Sequence, residues 1–209
     1  MRLFKCGLLA AVGFVIAGCA SQPPAPVAIN DGELKPPAGY QGWPKFLSAV
    51  QRPDAKQVRE IYMNDSARKG TRDKGFPDGS VFVMENYAAQ ADADGTLKTS
   101  ADGKLVKGAL LSVFVQGKNP GWGAAAIPEL KNGNWVYAAY TPTGDKAAID
   151  LNTCRACHLP LKDKDFVHRY DEYFNSKTSS LGHTVPLAAV TQGRGITSAD
   201  LALAHAALR

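Results

Sequence analysis

The spacing of apolar and polar positions predicts a run of short strands through the middle of the chain. Val58-Arg59-Glu60-Ile61-Tyr62-Met63 is rich in β-branched and aromatic residues and stops at Asn64-Asp65. The charged stretch from Ser66 to Lys74 has room for one short helix before the turn Gly75-Phe76-Pro77-Asp78-Gly79. Ser80 to Tyr87 reads as a second strand. Its period of two places Phe82, Met84 and Asn86 on one face and Val81, Val83, Glu85 and Tyr87 on the other. A polar loop from about Ala91 to Asp102 leads to a third strand, Leu110 to Val115, which Asn119-Pro120-Gly121-Trp122-Gly123 breaks. After the turn Asn132-Gly133-Asn134 comes a fourth, Trp135 to Tyr140. Short strands separated by turns predict a mainly β domain of the α+β type, an antiparallel sheet with a few short helices.

The period then changes. Phe166, Tyr170, Tyr173 and Phe174 recur at i, i+4, i+7 and i+8, the spacing of an amphipathic helix with an aromatic face. Ser198-Ala199-Asp200 resembles an N-cap with an acidic first turn, opening a short Ala/Leu helix.

The N-terminal pattern is of another kind. Met1-Arg2-Leu3-Phe4-Lys5 is basic, Gly7 to Ile16 is apolar, and Ala17-Gly18-Cys19 follows. This is a secretory signal, too short for a membrane span. Val15-Ile16-Ala17-Gly18-Cys19 resembles a bacterial lipobox, so residues 1–18 are expected to be removed and Cys19 to be lipidated. Cys6 would leave with the signal. Multiple acyl chains anchor stably where one does not. Residues 19–38, with Gln22-Pro23-Pro24-Ala25-Pro26 and Pro36-Pro37, read as a proline-rich tether, and residues 39–209 as a single domain. The expected location is the periplasmic side of a bacterial membrane. Ala20-Ser21 lacks an aspartate after the lipidated cysteine, which favours the outer membrane.

Charge adds little. The formal net charge is +5, and loss of Arg2 and Lys5 leaves +3, with no Lys/Arg run that would suggest nucleic acid.

The decisive chemistry is Cys154-Arg155-Ala156-Cys157-His158. Cys-x-x-Cys-His is the attachment sequence of c-type haem, in which two thiols add to porphyrin vinyl groups and the imidazole ligates iron. On a helical turn, positions i, i+3 and i+4 share a face, so both sulfurs and the ring can meet one flat macrocycle. A redox dithiol or half a zinc site is the alternative. It lacks a second cysteine pair in the mature chain and a surrounding βαβ pattern.

In order, Arg59-Glu60-Ile61-Tyr62, Pro77-Asp78-Gly79-Ser80-Val81, Gly133-Asn134-Trp135, the haem motif and Asp165-Phe166-Val167 resemble the cytochrome P-460 family, which includes cytochrome c′-beta. The likeness runs from about residue 40 to 176. It implies an antiparallel β fold, commonly a homodimer, with one covalent haem c, His158 proximal and an open distal side. In the P-460 enzymes, which oxidise hydroxylamine, a lysine on the strand after the Asp-Gly turn is joined to the porphyrin edge. Met84 stands at that position, and a thioether cannot form the link.

That departure points to the c′-beta branch, whose members bind small gases in an apolar pocket. If Phe82 and Met84 face the haem, they would disfavour water and anions and favour neutral NO or CO. Both could equally be plain core. Arg59 matches a distal-strand arginine of the family and could serve a ligand or a haem propionate; a solvated edge-strand arginine is the alternative. His168, His183 and His205 are expected to be surface or capping histidines. The leading expectation is binding or scavenging of NO or a related small nitrogen ligand. One alternative is a P-460-type oxidase with a cross-link from Lys69 or Lys74. The other is an electron-transfer cytochrome with Met84 as second axial ligand and a redox partner protein.

Overall fold

The computed structural model describes residues 27–181. The expected signal segment, Cys19, His183, His205 and the helix at Ser198 lie outside the described residues.

A single antiparallel sheet carries the domain, and its spatial order follows the chain: β1 (Lys45–Arg52), β2 (Gln57–Met63), β3 (Val81–Ala89), β4 (Lys107–Lys118) and β5 (Trp135–Tyr140). The helices are α1 (Asp65–Arg68), α2 (Leu151–His158) and α3 (Tyr170–Leu181). This is the mainly β architecture that the strand pattern predicts, with the four expected strands as β2 to β5.

β1 has no clear sequence signal. It buries only Phe46 and Val50, four residues apart, and its pairing with β2 shifts register twice, with Ala49 at a positive φ of 49°. A bulged edge strand loses the two-residue alternation by which strands are recognised.

α1 fills only the start of the expected helical stretch. The Asn64 side chain ends β2 and opens this turn, accepting from Ala67 N at 2.9 Å and from Val81 N at 3.1 Å. α3 begins at Tyr170 rather than at Phe166. Asp165, Phe166 and Arg169 adopt left-handed backbone (φ 50°, 56° and 57°), which interrupts any helix there.

The two faces of β3 bury different things, as alternation requires. Phe82 joins an aromatic core with Phe46, Phe76, Trp135, Tyr137, Phe166, Tyr170, Tyr173 and Phe174. Val81 and Val83 join Tyr62, Val113, Val115, Ala138 and Tyr140, beneath Tyr40, Leu34 and Trp43. Glu85, buried on this second face, accepts hydrogen bonds from the hydroxyls of Tyr40, Tyr62 and Tyr87 at 2.8, 3.0 and 2.7 Å.

Residues 27–38, expected as tether, lie against the domain. Gly32 N donates to Tyr137 O at 2.8 Å and Gly123 N to Ile29 O at 2.9 Å. Tyr137 N donates to Asp31 Oδ1 at 2.9 Å and the Tyr140 hydroxyl to Leu34 O at 3.0 Å. Two prolines prevent regular structure without preventing docking, since the carbonyls remain acceptors.

Candidate haem site

α2 is capped by Asp150, whose carboxylate accepts from Asn152 N at 3.0 Å, and gives way after His158 to a 3-10 stretch over Leu159–Lys164 containing Pro160. Its rotation about its own axis is set by Arg155, which is 1% exposed. The guanidinium grips Asp31 with two bonds, Nε to Oδ2 at 2.5 Å and Nη2 to Oδ1 at 2.9 Å, and Nη2 also donates to Trp135 O at 3.1 Å. The backbone makes room for it at Gly123 (φ 69°), where a Cβ would stand 2.7 Å from Nη2. With Arg155 held inward, Cys154, Cys157 and His158 line one cavity of about 780 Å³. The opposite wall is the sheet face bearing Arg59, Ile61, Phe82, Met84, Asn86 and Phe114.

The protonation and tautomer of His158 are those that a metal ligand requires. Its Nδ1 lies 2.7 Å from Phe166 O. A carbonyl only accepts, so the hydrogen is on Nδ1 and the Nε2 lone pair is free. Burial, with a smaller opposing effect from that bond, pulls the imidazole pKa down to about 4, so the ring is neutral at physiological pH. The carbonyl is aimed by the left-handed turn at Asp165-Phe166. Asp165 accepts from Phe76 N at 2.8 Å, from Lys118 Nζ at 3.0 Å and from Trp135 Nε1 at 3.2 Å. Gly75 (φ 72°) permits this approach, because a Cβ there would meet the Asp165 carboxylate at 2.7 Å.

Cys154 is half-buried and Cys157 exposed, and both are free. Burial pushes the Cys154 thiol up, which does not suit a reactive redox thiolate. Among the described residues there is no group of three or more His, Cys, Asp or Glu side chains placed to hold a metal ion, so a zinc site finds no donor set.

Phe82, Met84 and Arg59 all reach the cavity, but its lining is not uniformly apolar. Arg59 sits on an interior strand, so the solvated edge-strand reading does not describe it. Its Nε is buried with no hydrogen-bond partner among the described residues, as is the Oδ1 of Asn86 beside it. Phe82 is shared between cavity and core, packing on Phe46 and Phe76 at 5.0 and 4.9 Å. Tyr170, Tyr173 and Phe174 of α3 stay in the neighbouring core and are not among the lining residues, so the helix's aromatic face is core and not a cofactor wall.

Among the described residues no lysine lines the cavity. Lys69 borders a separate polar hollow with Asp65 and Arg68, and Lys74 reaches neither, so neither is placed for a porphyrin link. His168 is a surface histidine, as expected, but it has a further contact. Although exposed, it borders the cavity, its ring stands 4.6 Å from that of His158 at 80°, and its Nε2 is 3.5 Å from Cys157 Sγ. Tyr137 also went unmarked in the sequence; its ring lies 4.9 Å from His158. Neither carries a short-range signal, because both reach the imidazole only through the turn and the sheet.

The family described as Cytochrome P460 matches residues 37–169, from the lead into β1 to the turn beyond the haem motif. The chain belongs to the cytochrome P460 family. No curated protein gives a significant match to it. Cytochrome P460 membership implies haem binding, and the residues present suit that group: two free thiols three apart on α2, a neutral imidazole with Nε2 available, and one cavity that all three line.

Proposed function

We propose that this cytochrome P460 family member is a lipid-anchored, extracytoplasmic cytochrome carrying one covalent haem c and binding nitric oxide at the iron. The observation that carries this reading is the cavity itself, with two thiols and a neutral imidazole on the α2 side and mainly apolar side chains without a lysine on the sheet side. When bound, the haem supplies a redox-active iron with an exchangeable coordination position.

The chain's residues supply the rest. Cys154 and Cys157 would hold the group covalently, each thiol adding its S–H across a vinyl group to give a thioether. His158 would offer Nε2 to its iron, with Phe166 O keeping the ring's tautomer and orientation. Ile61, Phe82, Met84 and Phe114 limit water in the cavity. The absence of a lining lysine among the described residues favours this over hydroxylamine oxidation by a cross-linked haem. The presence of Met84 in the lining supports one second reading, a His/Met electron carrier.

The test is the absorption spectrum of the ferrous holoprotein before and after NO. A high-spin c-type spectrum that changes with NO supports the proposal. A ferrous protein that binds neither NO nor CO ends it. For the anchor, the mature N-terminal peptide is expected to begin at acylated Cys19, and an unmodified peptide starting elsewhere would end that part.

A further inference from the structure

Resting on the reading that Cys19 is acylated, we infer that the loop joining β4 to β5 (residues 119–131), together with Val27, is a membrane-contact surface. It settles into the headgroup boundary of the bilayer that holds the anchor. Among the described residues four large apolar side chains are exposed, Val27, Leu111, Ile127 and Ile149. Ile149 borders the cavity, and Leu111 lies on β4. Val27 and Ile127, 81% and 49% exposed, are gathered on one side of the molecule by the docked N-terminal segment.

Hydrogen bonds fix that meeting. Trp122 Nε1 donates to Val27 O at 3.1 Å, Gly123 N to Ile29 O at 2.9 Å and Ala125 N to Asn30 Oδ1 at 3.1 Å. The Trp122 ring rests on β4, where a Cβ at Gly117 would stand 3.0 Å from its Cζ3. Ile127 follows two positions after Ala125, and Ala124, Ala125 and Pro128 around it are exposed as well. A loop tied down at three points holds Ile127 in the open. A lone exposed apolar residue needs no explanation, but a group of them beside a half-buried tryptophan suits the boundary between headgroups and acyl chains.

The length of the tether says what covers this surface. Cys19 and Val27 are eight peptide links apart (27 − 19 = 8), and eight links span at most about 29 Å. The 155 residues from 27 to 181 (181 − 27 + 1 = 155) form a body about 40 Å across. An anchor in the bilayer therefore cannot be reached with Val27 on the far side, and the face where the segment enters turns toward lipid. The anchor also lowers the affinity required, because it holds the patch beside the bilayer at a high effective concentration, so a few apolar side chains suffice. Glu129 and Lys131, both exposed, bring opposite charges to the end of the loop, so the contact is apolar in kind and does not depend on anionic lipid.

The experiment places a nitroxide at position 127 (Ile127→Cys) or, on another exposed apolar position, at 111 (Leu111→Cys), in the acylated holoprotein bound to phosphatidylcholine vesicles. The same labels are read in the mature chain whose Cys19→Ser substitution removes the anchor, with and without vesicles. Collisions with oxygen, which concentrates in lipid, and with a water-soluble nickel chelate report depth, and the mass of the N-terminal peptide reports acylation. In the acylated protein the oxygen rate at 127 is expected to rise and the nickel rate to fall severalfold, with little change at 111 and a smaller effect in the anchor-free chain. Acylated protein with 127 as open to nickel as 111 overturns this inference and leaves the anchor standing, as does shielding at 111 in place of 127. Shielding at 127 in the anchor-free protein without vesicles also overturns it, since a second copy of the chain would then cover the patch. So does shielding abolished by about 1 M salt, which would make the contact one of charge. An N-terminal peptide without acyl chains defeats the anchor and this inference with it.

Discussion

The imidazole of His158 donates from Nδ1 to the carbonyl of Phe166 at 2.7 Å, across a turn in which Phe166 itself takes left-handed backbone. The same carbonyl accepts from Gln116 Nε2 at 3.0 Å, so it is tied both to β4 and to the imidazole. An acceptor so fixed raises the basicity of the ring it serves.

Loosening that turn should therefore be visible at the iron. Asp165→Asn removes the charge that answers Lys118 and is expected to cost about 2–3 kcal/mol of stability. It should also raise the haem midpoint potential, because a less firmly held Phe166 carbonyl leaves His158 a weaker donor. Denaturant unfolding and redox titration of the holoprotein check both; an unchanged potential would mean that the turn only stabilises the fold.

The grip of Arg155 on Asp31 makes a second prediction. Asp31→Asn preserves an acceptor for Tyr137 N but leaves a buried guanidinium without its counter-charge, at an expected cost of about 3–5 kcal/mol. A loss below about 1 kcal/mol, the range of an exposed pair, would show that the docked N-terminal segment is dispensable.

Met84 separates the gas-binding and carrier readings. If iron is five-coordinate, Met84→Ala leaves the ferric protein high-spin and merely enlarges the cavity. A low-spin wild type that turns high-spin on this substitution would make Met84 a ligand. Peptide mapping of the same samples should find haem attached through Cys154 and Cys157 alone.

The tyrosines around Glu85 predict an alkaline limit. Burial first, with Glu85 second for Tyr40 and Tyr87, raises their phenols above the ordinary value of 10.0; Tyr62 is raised chiefly by burial as well. Above that value the unfolded chain has released protons that the folded chain retains, so rising pH favours unfolding. Stability is complete below about pH 10 and falls beyond it. Tyrosinate absorbance should appear for these three only together with loss of circular dichroism, and Glu85→Gln should let them ionise at lower pH. Three phenols titrating near 10 in a still-folded protein would contradict this.

What the sequence determined by itself is local. The period of two put Phe82, Met84 and Asn86 on one face of β3, and the helical spacing of Cys154, Cys157 and His158 put two thiols and an imidazole on one side of α2, because both follow from backbone geometry within a few residues. β1 escaped because its bulges erase the alternation that marks a strand. Only the tertiary structure decided which polar atoms meet: Asp31 with Arg155 across 124 positions, Gln116 with Phe166 across 50, and Arg59 opposite Asn86 through strand register. The reason is that periodicity reports which face is buried, whereas the partner of a buried polar atom depends on how distant segments are registered and turned against one another.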